Sequence, residues 1–268
     1  MGEWVTCKYK GNPQLWKDAP AKEVYAAEKI IELLKKSEEK VYISIVGGCL
    51  DTAIALSRAP EVFREKCAGI VLNAGSGDLE SEKLEYNVDL GKTEYATIFQ
   101  APCPVFWNPC LQSPDYKGDV DVWRGRNATY YRFTQKEVFS RISPALLNFF
   151  LYMLTRNQST EFLKVLEEEP DKEQEQYFGE LKRNMWCTGS IFHMAGKTVT
   201  SEGEIVPLEE AKEAVYTYRP IRVTCSDEGR TVWAFDDTAS DRFIFHINRE
   251  DLYEKAMTKA LAAVLAGL

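Results

Sequence analysis

Val41-Tyr42-Ile43-Ser44-Ile45-Val46 runs without a break into Gly47-Gly48, and a helix rich in small residues starts near Leu50. The run has almost no polar alternation, the pattern of a strand buried on both faces of a sheet. A second apolar run, Gly69-Ile70-Val71-Leu72-Asn73, stops at Ala74-Gly75-Ser76-Gly77. Between the two, the spacing predicts a helix over 50–58 and a short one over 60–66 that opens on Pro60. A helix over 92–100 follows Glu85-Tyr86-Asn87 and is broken by Ala101-Pro102-Cys103-Pro104, and Val105-Phe106-Trp107 reads as a third strand. This alternation of strands and helices predicts an α/β fold, an open and mostly parallel sheet with flanking helices. Such sheets bind ligands beyond the carboxyl ends of their strands, so the polar residues gathered after Val46 and Asn73 mark the candidate site.

Upstream, residues 1–19 show no clean period and read as a loop, with Asp18 and Pro20 suited to a first helical turn. Val24, Ala27, Ile30, Ile31 and Leu34 fall at helical spacing, with Lys35 and Lys36 in the last turn. Downstream, 111–134 reads as a long loop rich in Asp, Gly, Arg and Tyr. Ser143-Pro144 opens an apolar helix, and charged helices follow over 160–168 and 171–182, a helical insertion at about 140–185. Strands are expected at 220–225, 231–235 and 242–247, then a closing helix with Asn248 as its cap. No repeat and no firm boundary interrupts the pattern, so the reading is a single domain over 1–268.

The net charge of −8 argues against a nucleic-acid partner, whose binding domains are usually basic. No apolar run spans a bilayer, and Met1-Gly2-Glu3-Trp4 lacks the layout of a signal peptide. The seven cysteines are odd in number and include no Cys-x-x-Cys, which points to free thiols in a reducing cytoplasm. The partner expected is a small molecule, with no membrane association. An unpaired sheet edge would favour a homo-oligomer.

The order of motifs resembles the nucleoside hydrolase superfamily, the calcium-dependent N-ribosidases of nucleosides such as the inosine/uridine-preferring enzymes. The stretches that carry the resemblance are Ser44 to Leu56, Pro60-Glu61-Val62, Val71-Leu72-Asn73-Ala74-Gly75, Glu85-Tyr86-Asn87, Pro104-Val105-Phe106 and the tail Thr231 to Leu265. The resemblance implies a Rossmann-like sheet and hydrolysis of the N-glycosidic bond of a ribonucleoside-type substrate. It also implies a departure. The family opens on a strand of the type Asp-x-Asp-x-x-x-Asp-Asp, which holds calcium and supplies the base, and residues 1–40 contain nothing like it. The expectation is a sheet lacking its first strand or strands, shortened at the N-terminus, with weak or absent activity. The alternative is a non-catalytic sugar- or nucleoside-binding pseudoenzyme.

Carried onto this chain, the resemblance places Asn73, Glu85 and Asn87 against the sugar. It places the backbone carbonyl of Val46 on calcium, if a metal is bound, and His193 as the acid for a leaving base, a role suited to titration near neutrality. Calcium is the implied cofactor and a nucleoside or ribosyl small molecule the implied ligand. Read from the residues alone, Asn73 is equally a strand-end turn residue, Glu85 a surface carboxylate, Asn87 a helix-side cap and His193 a packed histidine. His246, inside an apolar strand, reads as structural. Arg124, Arg126, Tyr130 and Tyr131 suggest a lid, and Asp78, Glu80, Asp119 and Asp121 are alternative carboxylates for a divergent glycosidase.

Overall fold

The structure is a computed structural model that describes residues 8–81, 83–111, 125–155 and 161–268. Asp119, Asp121 and Arg124 lie outside the described residues. In chain order the first elements are α1 (Tyr25–Lys36), β1 (Val41–Ile45), α2 (Leu50–Arg58), α3 (Pro60–Lys66), β2 (Cys67–Asn73), α4 (Tyr86–Asp89), α5 (Lys92–Ile98) and β3 (Val105–Asn108). Then come β4 (Tyr131–Thr134), α6 (Gln135–Phe139), α7 (Pro144–Thr155), α8 (Phe162–Val165), α9 (Lys172–Glu180), β5 (Lys182–Met185), α10 (Thr188–Met194), β6 (Lys197–Val199) and β7 (Ile205–Pro207). The chain closes with β8 (Tyr216–Cys225), β9 (Thr231–Phe235), β10 (Arg242–Ile247) and α11 (Glu250–Ala266). These elements form two compact units, Met1–Thr129 with Thr217–Ile247, and Tyr130–Tyr216 with Asn248–Leu268. The helical segment expected at about 140–185 falls in the second unit. No helix among the described residues is long and apolar enough to cross a membrane.

The first unit holds a six-stranded sheet of order β1-β2-β3-β10-β8-β9. β1, β2, β3 and β10 run parallel to one another, and β8 and β9 pair antiparallel. The α/β class expected from the sequence is therefore what the chain adopts. One face of the sheet presents Ile45, Ile70, Leu72, Val105, Trp107 and Ile244 to the buried faces of α1, α2, α3 and α5. Each such side chain contributes roughly 1.5–3 kcal/mol on burial. The other face carries an aromatic ladder. Phe106 stacks on Phe243 at 5.0 Å and meets Tyr218 and Tyr42 edge-on at 5.2 and 6.1 Å.

Two expectations are corrected in this unit, the burial of β1 and the start of α1. β1 is an edge strand among the described residues rather than one buried on both faces: no described strand pairs beyond it, and Ser44 and Val41 are exposed. Within residues 8–19 the chain is tightly packed, with Tyr9 and Trp16 buried and the Trp16 indole donating to the Tyr9 carbonyl at 2.7 Å. Arg58 fixes this stretch to α1 and α2. Its Nη1 donates to the carbonyls of Trp16, Lys17 and Ala19, and its Nε to Glu28 at 2.6 Å. Pro20 opens a turn closed by Glu23 N–H rather than a helix, which begins only at Tyr25.

The second unit pairs β4 with β5 antiparallel, and β6 with β7. Its core brings Phe139, Phe150 and Phe178 together, and stands Tyr131 and Tyr216 edge-on to Tyr253. The segment expected as a loop over 111–134 thus contains a strand at its end. α7 was legible from its apolar run, whereas β4 alternates buried and half-buried residues over only four positions and β5, Lys182-Arg183-Asn184-Met185, carries no period. Asn248 does not cap α11. Its amide donates to the Ala214 carbonyl at 2.9 Å, and Arg249 holds the cap position.

Candidate functional site

Because β1, β2 and β3 are parallel, their carboxyl ends lie on one edge of the first unit, with Ile45 beside Leu72 and Asn73 beside Asn108. Side chains lock these exits together. The Asn73 amide donates to the Ile45 carbonyl at 3.0 Å, tying the end of β2 to the end of β1. Trp107 donates from its indole to the Ala74 carbonyl at 2.8 Å, tying β3 to the same turn. Asn108, fully buried, donates to the Phe106 carbonyl and accepts from the Tyr218 hydroxyl at 2.6 Å.

The turn after β2 is held by Glu85. One carboxylate oxygen accepts from Gly75 N–H at 2.9 Å, and the other accepts from the Asn87 N–H and side-chain amide at 3.0 and 3.1 Å. Glu85 therefore caps α4 and anchors Gly75 at once. Gly75 has a φ of +87°, and a Cβ there would lie 2.1 Å from the Tyr95 hydroxyl, so only glycine fits. Tyr95 is fully buried, and its hydroxyl has no hydrogen-bond partner among the described residues. Burial raises that phenol well above its ordinary pKa. Cys49, which follows Gly48, is pushed up to about 12 by burial, with the Glu94 and Glu85 carboxylates adding to the effect.

The surface of this edge is partly apolar. Val46, Leu79, Tyr86 and Leu90 are exposed on the segments that leave the strands, and Asn87 is half-buried among them in sequence. Sequence reasoning singled out Asn73, Glu85, Asn87 and Val46, and all four belong to this edge. It missed Asn108. The signal for Asn108 was present, since it ends its strand as Asn73 ends β2.

His193 sits in the second unit on α10. Burial pushes its imidazole down to about 4, away from the titration near neutrality that suits an acid for a leaving base. The preceding residue stretch is strained. Cys187 is the one non-glycine residue with positive φ among the described residues, in a tight turn closed by Thr188 N–H to the Trp186 carbonyl at 2.8 Å. Of the residues suggested as a lid, Tyr131 is fully buried and hydrogen-bonds Thr188 at 3.0 Å, and Tyr130 is buried beside Trp186. Both are packed within the second unit rather than free to stack on a ligand. His246 contacts Phe235 edge-on and approaches Asn127 at 3.4 Å within the first unit. Asp78 accepts from Glu80 N–H at 3.0 Å in the turn after β2.

The fit of calcium is decided by the donors. Calcium takes six to eight oxygens. In the segments that follow β1 and β2 the carboxylates include Asp51, Asp78 and Glu85, and both Glu85 oxygens already accept N–H groups. Among the described residues no group of three or more His, Cys, Asp or Glu side chains comes together. The described residues thus present no carboxylate cluster for calcium.

No protein-family model matches the chain, and no curated protein matches it. Solved structures do resemble it. One is the inosine-uridine preferring nucleoside hydrolase from Bacillus anthracis, with a TM-score of 0.42 and 14% identity over 90% of this chain and 64% of that one. Another is the purine-preferring ribonucleoside hydrolase from Gardnerella vaginalis, with a TM-score of 0.44 and 12% identity over 91% and 67%. A third is the type III effector XopQ complexed with adenosine diphosphate ribose, with a TM-score of 0.36 and 12% identity over 90% and 65%. The chain thus spans about two thirds of the length of these proteins. At these identities and TM-scores the likeness is loose and assigns no activity.

Proposed function

We propose that the first unit binds a nucleoside or related ribosyl small molecule at the carboxyl ends of β1, β2 and β3. The observation that carries this reading is the lock on those ends. Asn73, Glu85, Asn108 and Trp107 hold three strand exits in fixed relation, while Asn87 and an exposed apolar collar remain at the rim. Convergent polar groups beside apolar surface at strand ends suit a small polar ligand. The motif order of the sequence supports a ribosyl group as that ligand.

Glu85 favours binding over catalysis. With three N–H groups on its two oxygens it positions the turn, and it is poorly placed to serve as a general base as well. Cleavage of the N-glycosidic bond is the finer reading that the motif order supports. Isothermal titration with inosine, uridine, adenosine and ribose, with and without chelator, tests the first reading. Binding that ignores the chelator and weakens in Asn87→Ala is expected. Absence of heat with every one of these ligands would remove the reading. Release of base from inosine, measured as reducing sugar with and without added calcium, separates the hydrolase from the binding protein.

A further inference from the structure

The second unit contains a cleft of about 820 Å³ between α11 on one side and β4 and α6 on the other. Its floor is made by one face of α11, where Thr258, Ala262, Ala263 and Ala266 recur at helical spacing and leave room for an occupant. Its walls are charged, and the two signs are not equally satisfied.

The three carboxylates that line it are engaged. Glu137 accepts Thr134 N–H at 2.7 Å, Asp251 pairs with Arg249 at 3.0 Å, and Glu254 accepts Arg132 N–H at 3.1 Å. Lys259 is engaged too, donating to the Glu202 carbonyl at 2.6 Å. The other cations are not. Arg132, Arg141, Lys182 and Lys255 all line the cleft, and their charged groups have no acidic partner among the described residues. The Nε of Arg132 is buried and has no hydrogen-bond partner among those residues. A buried donor left unmade costs about 1–3 kcal/mol. In a chain of net charge −8, a concavity lined by five cations and three carboxylates is a local reversal of sign.

We propose that this cleft binds a small organic phosphate carrying at least two negative charges. Arginine matches phosphate oxygens with a planar fork, and lysines add point charges around it. The volume lies within the roughly 300–1,000 Å³ of small-molecule sites. It exceeds what a lone phosphate fills, so the phosphate is one end of a larger molecule whose remainder lies on the alanine floor.

Inorganic pyrophosphate is the probe, because it has no ribosyl part and so does not test the site in the first unit. Titration calorimetry on the full chain at low salt should show binding that weakens steeply as salt rises. Lys255→Gln, at an exposed position, should weaken it about tenfold, and Arg132→Gln more. Lys92→Gln, in the first unit, should leave it unchanged. Circular dichroism verifies that each variant is folded, and the exposed Lys255 keeps the test available if Arg132→Gln unfolds. No heat with pyrophosphate, or equal affinity in the Lys255 and Lys92 variants, overturns the proposal. Citrate binding as tightly as pyrophosphate overturns the phosphate assignment.

Discussion

Replacing Gly75 by alanine should destabilise the first unit by an amount that Tyr95 sets. The added Cβ would stand 2.1 Å from the Tyr95 hydroxyl oxygen and 2.8 Å from the adjoining ring carbon. Real Cβ contacts stay beyond 3.0 Å, so the ring or the turn must move by nearly an ångström. Tyr95 is fully buried and stands edge-on to Phe99 at 5.2 Å, so it has little room to yield. Overpacking of this kind costs about 1–3 kcal/mol, and an L-residue at positive φ about 1 more, for a total of roughly 2–4 kcal/mol. Tyr95→Phe removes a hydroxyl with no partner among the described residues, so alone it should be neutral or stabilising. In that background Gly75→Ala should cost at least about 1 kcal/mol less. Urea denaturation followed by tryptophan fluorescence is the assay, since Trp107 is bonded to the adjacent Ala74 and reports on this turn. A Gly75→Ala variant within about 0.5 kcal/mol of the parent, or one with the same cost in both backgrounds, would refute the reasoning.

Arg58→Ala should cost about 2–4 kcal/mol in the same assay, since hydrogen bonds to charged groups contribute about 1.5–3 kcal/mol each and are not additive. Arg58→Lys should recover little of it, because an ammonium cannot span three carbonyls and the Glu28 carboxylate together. His193 should make the second unit acid-sensitive. Its folded value of about 4 lies below the ordinary 6.5, so between these pH values the unfolded chain binds the extra proton. The associated stability is complete above pH 6.5 and is lost as the pH falls towards 4, by at most roughly 3 kcal/mol. Denaturation midpoints of His193→Asn should therefore change less between pH 7 and 4.5 than those of the parent, and parallel curves would contradict this. Cys49, Cys187 and Cys225, pushed up to about 12, 11 and 12 by burial, should resist iodoacetamide at pH 7.5 until the chain is unfolded. Peptide mapping that finds any of them rapidly labelled in the folded protein would count against the burial argument.

The sheet was legible where apolar runs are long and sharply ended. β2 and α2 match their expected bounds closely because continuous apolar runs and small-residue helices have few alternative structures. β1 was legible as a strand but not as an edge, since sequence reports what a side chain prefers and not which neighbour fails to pair with it. Short elements were lost for a different reason: β4 alternates apolar and polar residues over only four positions at the end of a stretch read as a loop, and β5, Lys182-Arg183-Asn184-Met185, has no apolar alternation. At the candidate site the sequence named Asn73 and Glu85, but not their work on backbone groups at Ile45 and Gly75. Those partners lie 28 and 10 residues away, and only the fold brings them together.

The order in which the strands are made has a consequence for synthesis. β10 lies between β3 and β8 in the middle of the sheet, yet Arg242 emerges from the ribosome long after Asn108. At about 5–20 residues per second the delay is on the order of ten seconds. Throughout it the nascent chain holds one long side of β3 unpaired, next to Phe106 and Trp107, while most of the second unit is being translated. Completion of the first unit therefore waits until Arg242 to Ile247 have left the ribosome, after most of the second unit. A ribosome that stalls before Arg242 would release a chain missing the strand that joins the two halves of its sheet.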